Sequence, residues 1–281
     1  MMLFRRGDNE SSFLYFVVPA TVFTIAVFVA PLWSVLHQSF FNPDFGLDKY
    51  RDILSSTLFY KVLWNTVVIS ITGSWVTLLL AYPMAYHLAR QPAGRRAIFM
   101  VMIMLPFWTS ILVKSYAFMI MLGQNGIINS VLGLIDVGPV ALIYNRFGVI
   151  VGMVHFLMPF VLFPIFTNLL SQNENIRRAA ETMGAGKWRI FFKITLPLSM
   201  PGVVAGSLLA VIQSLGFFVT AALLGGRGDL MIANLIDFYT KEILDWGTAS
   251  AIAVILLLMT GAMLAILGRF GGGLTRFGNM G

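Results

Sequence analysis

Residues 177–202 read RRAAETMGAGKWRIFFKITLPLSMPG, a polar and basic stretch in a chain that is 58% hydrophobic. Apolar runs of roughly 20 residues or more lie on either side, the length a helix needs to cross a hydrocarbon core of ~30 Å. The stretch is therefore a connection with its own secondary structure, held between two membrane spans. Outward from it, long apolar blocks alternate with short charged connections across all 281 residues. Mean hydropathy is +0.84 and only 11% of residues are charged, whereas a soluble domain has about a quarter charged.

The chain reads as an all-α integral membrane protein with about six transmembrane helices, at 13–36, 64–88, 97–122, 148–171, 202–224 and 248–268. Helices are required because an open sheet leaves its backbone unsatisfied in lipid, and no run alternates as a barrel strand does. The start, MMLFRRGDNESSF, places two arginines ahead of an apolar run too long for a signal-peptide core. Arg5 and Arg6 read as a topology anchor ahead of a retained first span. The tail GGGLTRFGNMG is a glycine-rich end. Residues 1–281 form one membrane domain with no soluble module, and zero cysteines exclude disulfides, thiolate metal sites and cysteine nucleophiles.

Six spans put both termini on one side, together with the 2–3 and 4–5 connections. That side carries twelve cations against four anions, net +8, and the remainder seven against eight, net −1. The positive-inside rule makes the first side cytoplasmic, so the N- and C-termini are expected in the cytoplasm. The overall charge of +7 is thus a topology signal, and membrane lipid rather than nucleic acid is the expected surrounding.

Within the quoted stretch, Ile176, Ala179, Ala180 and Met183 fall on one face of a short helix. Arg177 and Glu181 can pair across one turn, Asn173 or Asn175 can cap the start, and Gly184 suits a left-handed end. Trp188, Phe191, Phe192 and Thr195 repeat the spacing in a second short helix, with Lys187, Arg189 and Lys193 on its other surface and Pro197 expected to block its continuation. Such a pair could dock small residues into a partner's groove or lie on anionic lipid. GAGK at 184–187 is no phosphate loop, because Glu181 and Trp188 stand where that motif needs Gly and Ser or Thr.

The spacing Ala179-Ala180-x3-Gly184-x9-Ile194-x-Leu196-Pro197 resembles the EAA loop of membrane subunits in binding-protein-dependent ABC importers, E-A-A-x3-G-x9-I-x-L-P. The motif's leading Glu is Arg178 here, so its salt bridge to an ATPase is not carried over, and Glu181 is the nearest substitute. PFWTSILVKSYAF (106–118), SMPGVVAGSLLA (199–210) and LLGGRGDLMIANLI (223–236) are similar to spermidine/putrescine-type permeases, a group that also handles opines and phosphonates. RGD at 227–229 within the last of these is read as coincidence. The resemblance implies a type I ABC importer permease fold in a bacterial cytoplasmic (inner) membrane, with a second permease (a paralogue), two ATP-binding cassette subunits and a periplasmic solute-binding protein as partners. It implies a non-catalytic subunit that binds no cofactor itself, ATP and Mg belonging to the ATPase. The coupling loop, about 173–198, would act through Ala179, Ala180, Glu181, Gly184, Ala185, Ile194, Leu196 and Pro197.

Lys114 and His155 are the ionisable residues well inside spans, and an intramembrane charge is a site hypothesis by default. Lys114 either snorkels to the outer headgroups or touches solute, and His155 either bonds between helices or serves as a ligand. Tyr116 joins them as a path candidate. Gln213, Ser214, Phe217, Phe218 and Thr220 of the fifth span either pack helices or line the translocation path. Pro106, Pro159 and Pro164 are expected to kink their helices. A polyamine path calls for carboxylates or aromatic faces, yet no Asp or Glu falls inside a span. The permeases of the resemblance carry an acid near the position of Ala222. An opine, phosphonate or amino-acid-like solute is the alternative cargo. A membrane-embedded hydrolase or a channel is the distant alternative class. Three scattered histidines (His37, His87, His155) supply no H-E-x-x-H site, and no repeated filter segment appears.

Overall fold

The computed structural model describes residues 8–41 and 45–275, all as helices and their connections apart from one isolated bridge between Phe41 and Phe45. Arg5, Arg6 and the last six residues, on which the terminal anchor and tail readings fall, lie outside the described residues. In chain order the helices are α1 (Asp8–Phe40), α2 (Asp48–Ser55), α3 (Thr57–Ala89), α4 (Ala93–Met104), α5 (Ile111–Leu122), α6 (Ile127–Gly133) and α7 (Arg146–Ser171). They continue as α8 (Glu174–Thr182), α9 (Lys187–Ile190), α10 (Leu196–Leu215), α11 (Val219–Leu224), α12 (Ile232–Lys241) and α13 (Trp246–Thr275). Six stretches of this helical chain are long and apolar enough to cross a membrane.

The core is α3, α7 and α10. On α3 the buried positions Val62, Thr66, Ile69, Gly73, Thr77, Ala81, Ala85 and Leu88 recur every three or four residues, so one stripe of mostly small side chains meets the neighbouring helices. Hydroxyls in that stripe are satisfied locally, Thr66 and Thr77 donating to the carbonyls of Val62 and Gly73. On α10, Gly202 and Gly206 form a small-xxx-small pair against α7. A methyl group at Gly206 would stand 2.9 Å from the Val161 carbonyl oxygen, so the two backbones meet where only glycine fits. Leu157, Val161, Leu162 and Ile165 of α7 fill this core, all fully buried. A second cluster joins Ile53, Phe59, Val62, Ile232 and Ile252 and seats α2 and α12 against α13. By contrast, α1 lies along α13 with most of its apolar side chains between Val17 and Leu36 exposed.

Two spans depart from the sequence expectation. The third, expected as one helix over 97–122, is built in pieces: α4, a tight 3-10 turn at Leu105–Trp108, and α5. Pro106 supplies no N–H and disfavours helical geometry before it. Thr109 then turns extended, with its hydroxyl donating to the Pro106 carbonyl at 2.7 Å. Beyond it the apolar stretch of membrane-crossing length is Ile111–Gly133, spanning α5 and α6. The fifth, expected over 202–224, stops at Leu215 and resumes at Val219. The Asn234 side chain donates to the Phe218 carbonyl at 3.2 Å, so α12 supplies a partner for a backbone group freed at this break. Pro159 and Pro164 lie within α7, which runs helical through both.

Candidate coupling loop and membrane path

At the basic end, α8 begins on Asn173, whose side chain accepts from the Asn175 N–H at 2.9 Å. Arg177 reaches Glu174 at 2.8 Å and Glu181 at 2.6 Å, and Arg178 reaches Glu174 at 3.3 Å. The Arg177 guanidinium, helped by Arg178, holds the Glu174 carboxyl below its ordinary range, and Glu174 in turn raises Arg177. Glu181, the nearest substitute for the missing motif acid, is thus engaged within its own helix.

The helix closes on Gly184 at φ +79°. Its N–H donates to the Glu181 carbonyl and the Ala185 N–H to the Ala180 carbonyl, each at 3.0 Å. This is the paired 5→2 and 6→1 closure of a left-handed cap. The motif spacing Ala180-x3-Gly184-Ala185 is the spacing that this closure demands.

The small residues divide. Ala180 is buried within the chain at 5% exposure, whereas Ala179 faces outward. Ile176, Met183 and Trp188 are 45%, 80% and 78% exposed. They give α8 and α9 an apolar surface beside the arginines.

The second helix corrects the expectation for Pro197. It does not stop there: α9 passes through a wide π turn at Phe191–Thr195 directly into α10, whose first turn holds Pro197. A proline ring collides with the carbonyl four residues back in α-helical geometry, and the turn ahead of Pro197 is not α-helical. The Leu196 N–H instead reaches back to Phe191. Phe191 is the aromatic that grips the spans, lying edge-on to Tyr82 at 5.9 Å and Tyr86 at 5.4 Å. Ile194 and Leu196 are half-buried and Pro197 is exposed. Gln172 donates to the Thr195 carbonyl at 3.3 Å, tying the loop's entry to its exit.

Of the path candidates, Lys114 and His155 come together at one cavity of about 230 Å3 near the proline break, with Phe156 and Pro106 in its wall. The Lys114 ammonium stands 5.6 Å from the Phe156 ring centroid, and His155 lies edge-on to Phe118 at 5.3 Å. Phe217 is buried and packs on Phe156 at 5.4 Å. Ser214 and Thr220 are buried inside the chain, Ser214 donating to the Val211 carbonyl and Thr220 paired with Ser115 at 3.1 Å. Gln213 is half-buried, Tyr116 is exposed, and Phe218 lies beneath Lys241 at 5.7 Å.

At the opposite end the structure assembles a network that the sequence reading did not single out. Arg146 donates to Asn65 at 3.0 Å and pairs with Asp229 at 3.3 Å, while Asn65 donates to the Gly228 carbonyl. The RGD stretch is therefore pinned to α3 and α7. Asp245 accepts from the Thr248 N–H at 3.0 Å and the Thr248 hydroxyl at 2.7 Å, and pairs with Lys49 at 2.7 Å. Burial raises its carboxyl, but Lys49 and Thr248 outweigh that and hold it at about 2. The pattern Asp-x-x-Thr before an apolar run was a usable cap signal here.

The family model "Binding-protein-dependent transport system inner membrane component" matches residues 77–271. The chain belongs to this family. Its members are membrane components of importers, so the chain is a multi-pass protein of the bacterial inner membrane and a non-catalytic subunit. Among its relatives in the family is the spermidine/putrescine permease PotB of Salmonella typhimurium LT2, 32% identical over 273 residues, covering 93% of this chain and 94% of that one. The Escherichia coli K12 PotB is 32% identical over 234 residues, 82% of this chain and 84% of that one. A bacterial alginate ABC transporter, solved with a pentasaccharide-bound periplasmic protein, matches with TM-score 0.80 and 17% identity over 97% of each chain. The inward-facing MetNI methionine transporter matches with TM-score 0.60 and 15% identity over 77% of this chain and 96% of that one. These structures share the fold of the importer permeases.

Proposed function

We propose that this chain forms half of the translocation path of an ATP-driven importer and that loop 173–198 couples it to a separate ATPase by alternating access. The observation that carries this is the exposed apolar surface of Ile176, Met183 and Trp188 at the positively charged end, on a loop continuous with a core span. The charge asymmetry supports a cytoplasmic position for that end. The other half of the path would be a paralogous permease, with two ATP-binding cassette subunits holding ATP and Mg and a periplasmic binding protein delivering solute. This chain binds no cofactor of its own.

The cargo we infer is a polyamine or related nitrogenous compound, supported by the 32% identity to spermidine/putrescine permeases over most of the chain. Of the acids at the outer mouth, Asp229, Asp237 and Asp245 are committed to Arg146, Lys241 and Lys49, while Glu242 stands exposed and would attract cations there. With no Asp or Glu inside a span, cation selection within the path falls to aromatic faces and to the binding protein. A solute carrying an anionic group, such as an opine or phosphonate, is the second reading, favoured by the paired Lys114 and His155 at one cavity.

The test is reconstitution of the complex in liposomes, with ATP hydrolysis measured with and without binding protein and each solute. Ala179→Trp places bulk on the outer face without disturbing the buried Ala180. Stimulation by one solute that this substitution abolishes establishes coupling and names the cargo. Unchanged hydrolysis in that variant overturns the docking role of α8.

A further inference from the structure

A larger cavity, about 620 Å3, opens at the basic end between the end of α3, the start of α4, the α7–α8 junction and the start of α10. Three guanidinium groups line it, those of Arg90, Arg96 and Arg177, against a single carboxylate, Glu174. That carboxylate is already shared between Arg177 and Arg178. Arg90 lies over the Tyr86 ring at 3.8 Å, and Arg96 donates one N–H to the Gln91 carbonyl at 3.0 Å. Among the described residues neither has a carboxylate within ion-pair distance. The Arg96 Nε is buried and has no hydrogen-bond partner. A buried N–H of a permanent cation left unpaired is costly, and an anion within reach relieves both the charge and the missing bond. The remaining wall is partly apolar, with Leu169, Ile194 and Leu198.

We propose that this cavity binds a phosphate-bearing anion between Arg90 and Arg96, supplied by the headgroup of an anionic phospholipid. The planar guanidinium fork matches phosphate oxygens in a way that a point charge does not. Basic pockets between spans at the cytoplasmic boundary are suited to anionic headgroups, so the inference rests on the cytoplasmic assignment of this end. The apolar wall accommodates the glycerol and acyl side of a lipid, which free phosphate lacks. A phosphate seated there touches the 2–3 connection and faces the start of α8, bracing the loop against the spans.

The full-length chain, purified in detergent, is incubated with phosphatidylglycerol or phosphatidylcholine. Retained lipid is counted by native mass spectrometry, and the unfolding midpoint is read in parallel. Wild type is expected to keep phosphatidylglycerol selectively, and an Arg90→Gln/Arg96→Gln variant to bind it at least about tenfold more weakly. Arg90→Lys/Arg96→Lys keeps the charge but loses the fork, so it falls between the two and serves if the glutamine variant does not fold. Protection by excess inorganic phosphate in phosphatidylcholine, lost in the variants, assigns the seat to free phosphate. Protection by phosphatidylglycerol alone assigns it to lipid. Equal retention and equal midpoints in wild type and both variants overturn the proposal. The readout needs neither ATPase nor cargo, so it stands or fails separately from the transport reading.

Discussion

Gly184 carries more of the loop's geometry than any other side-chain choice in it. Its φ of +79° is open to Asn at modest cost but strained for a β-branched residue, by about 1–2 kcal/mol. Gly184→Asn should therefore keep coupled ATP hydrolysis in the reconstituted complex, while Gly184→Val loses it with the spans still folded. Asp245 makes a second prediction at this scale. Its carboxyl titrates at about 2 when folded against 3.8 ordinarily, so its stabilisation is full above about pH 4 and fades as pH falls towards 2. Asp245→Asn keeps a capping oxygen but loses the Lys49 pair, and should cost up to about 1 kcal/mol at neutral pH. Thermal unfolding should show that the gap between wild type and variant closes on acidification. Gly184 was legible in the sequence because a cap is a local event, set by residues within one turn. The Arg146–Asn65–Asp229 network was not, because its members are joined by the fold and no periodicity announces them.

Helices were legible where their cause was composition and obscure where it was hydrogen bonding. The apolar blocks that became α3 and α7 are visible in a hydropathy window, which averages over some twenty residues. The same averaging hides the breaks at Pro106 and Gly216 and the wide turn before Pro197, each decided by one or two backbone bonds. Packing predicts sharper effects. Gly206→Leu drives a side chain against the Val161 backbone and should destabilise the chain by about 1–3 kcal/mol or more, read as a lower unfolding midpoint. Gly216→Ala, with nothing within 4 Å of the added methyl, should leave that midpoint unchanged. Phe191→Ala removes the contact with Tyr82 and Tyr86 and should cost about 1–2 kcal/mol. The exposed Phe192→Ala should not.

For the molecule as a whole, the charge asymmetry and the apolar surface of the loop point to the same end, and that agreement can be checked directly. The chain has no cysteine, so a single introduced thiol reports its side of the membrane without background. Arg178→Cys should react with an impermeant maleimide only in inverted vesicles, and Glu242→Cys only in right-side-out cells. The reverse pattern would sink the cytoplasmic assignment and the coupling reading with it. Fold and orientation are whole-chain properties that composition reports well. Cargo depends on a few side chains and on partner surfaces that composition does not report, so the same composition is compatible with several solutes.

The passage of α9 into α10 has a mechanical consequence. From Lys187 to Leu215 the backbone is one helical run of 29 residues, about 43 Å long. Trp188 stands at the surface of one end. Just past the other, Phe217 rests on Phe156 in the wall of the Lys114 cavity. If the loop takes up a stroke as proposed, such a rod would carry it as a crankshaft does, as far as the break after Leu215 that sets Phe217 off from the shaft. The wide turn at Phe191–Thr195 is the place along the shaft where torque would slip, and its compliance would then set how tightly a stroke at one end is timed to movement at the other.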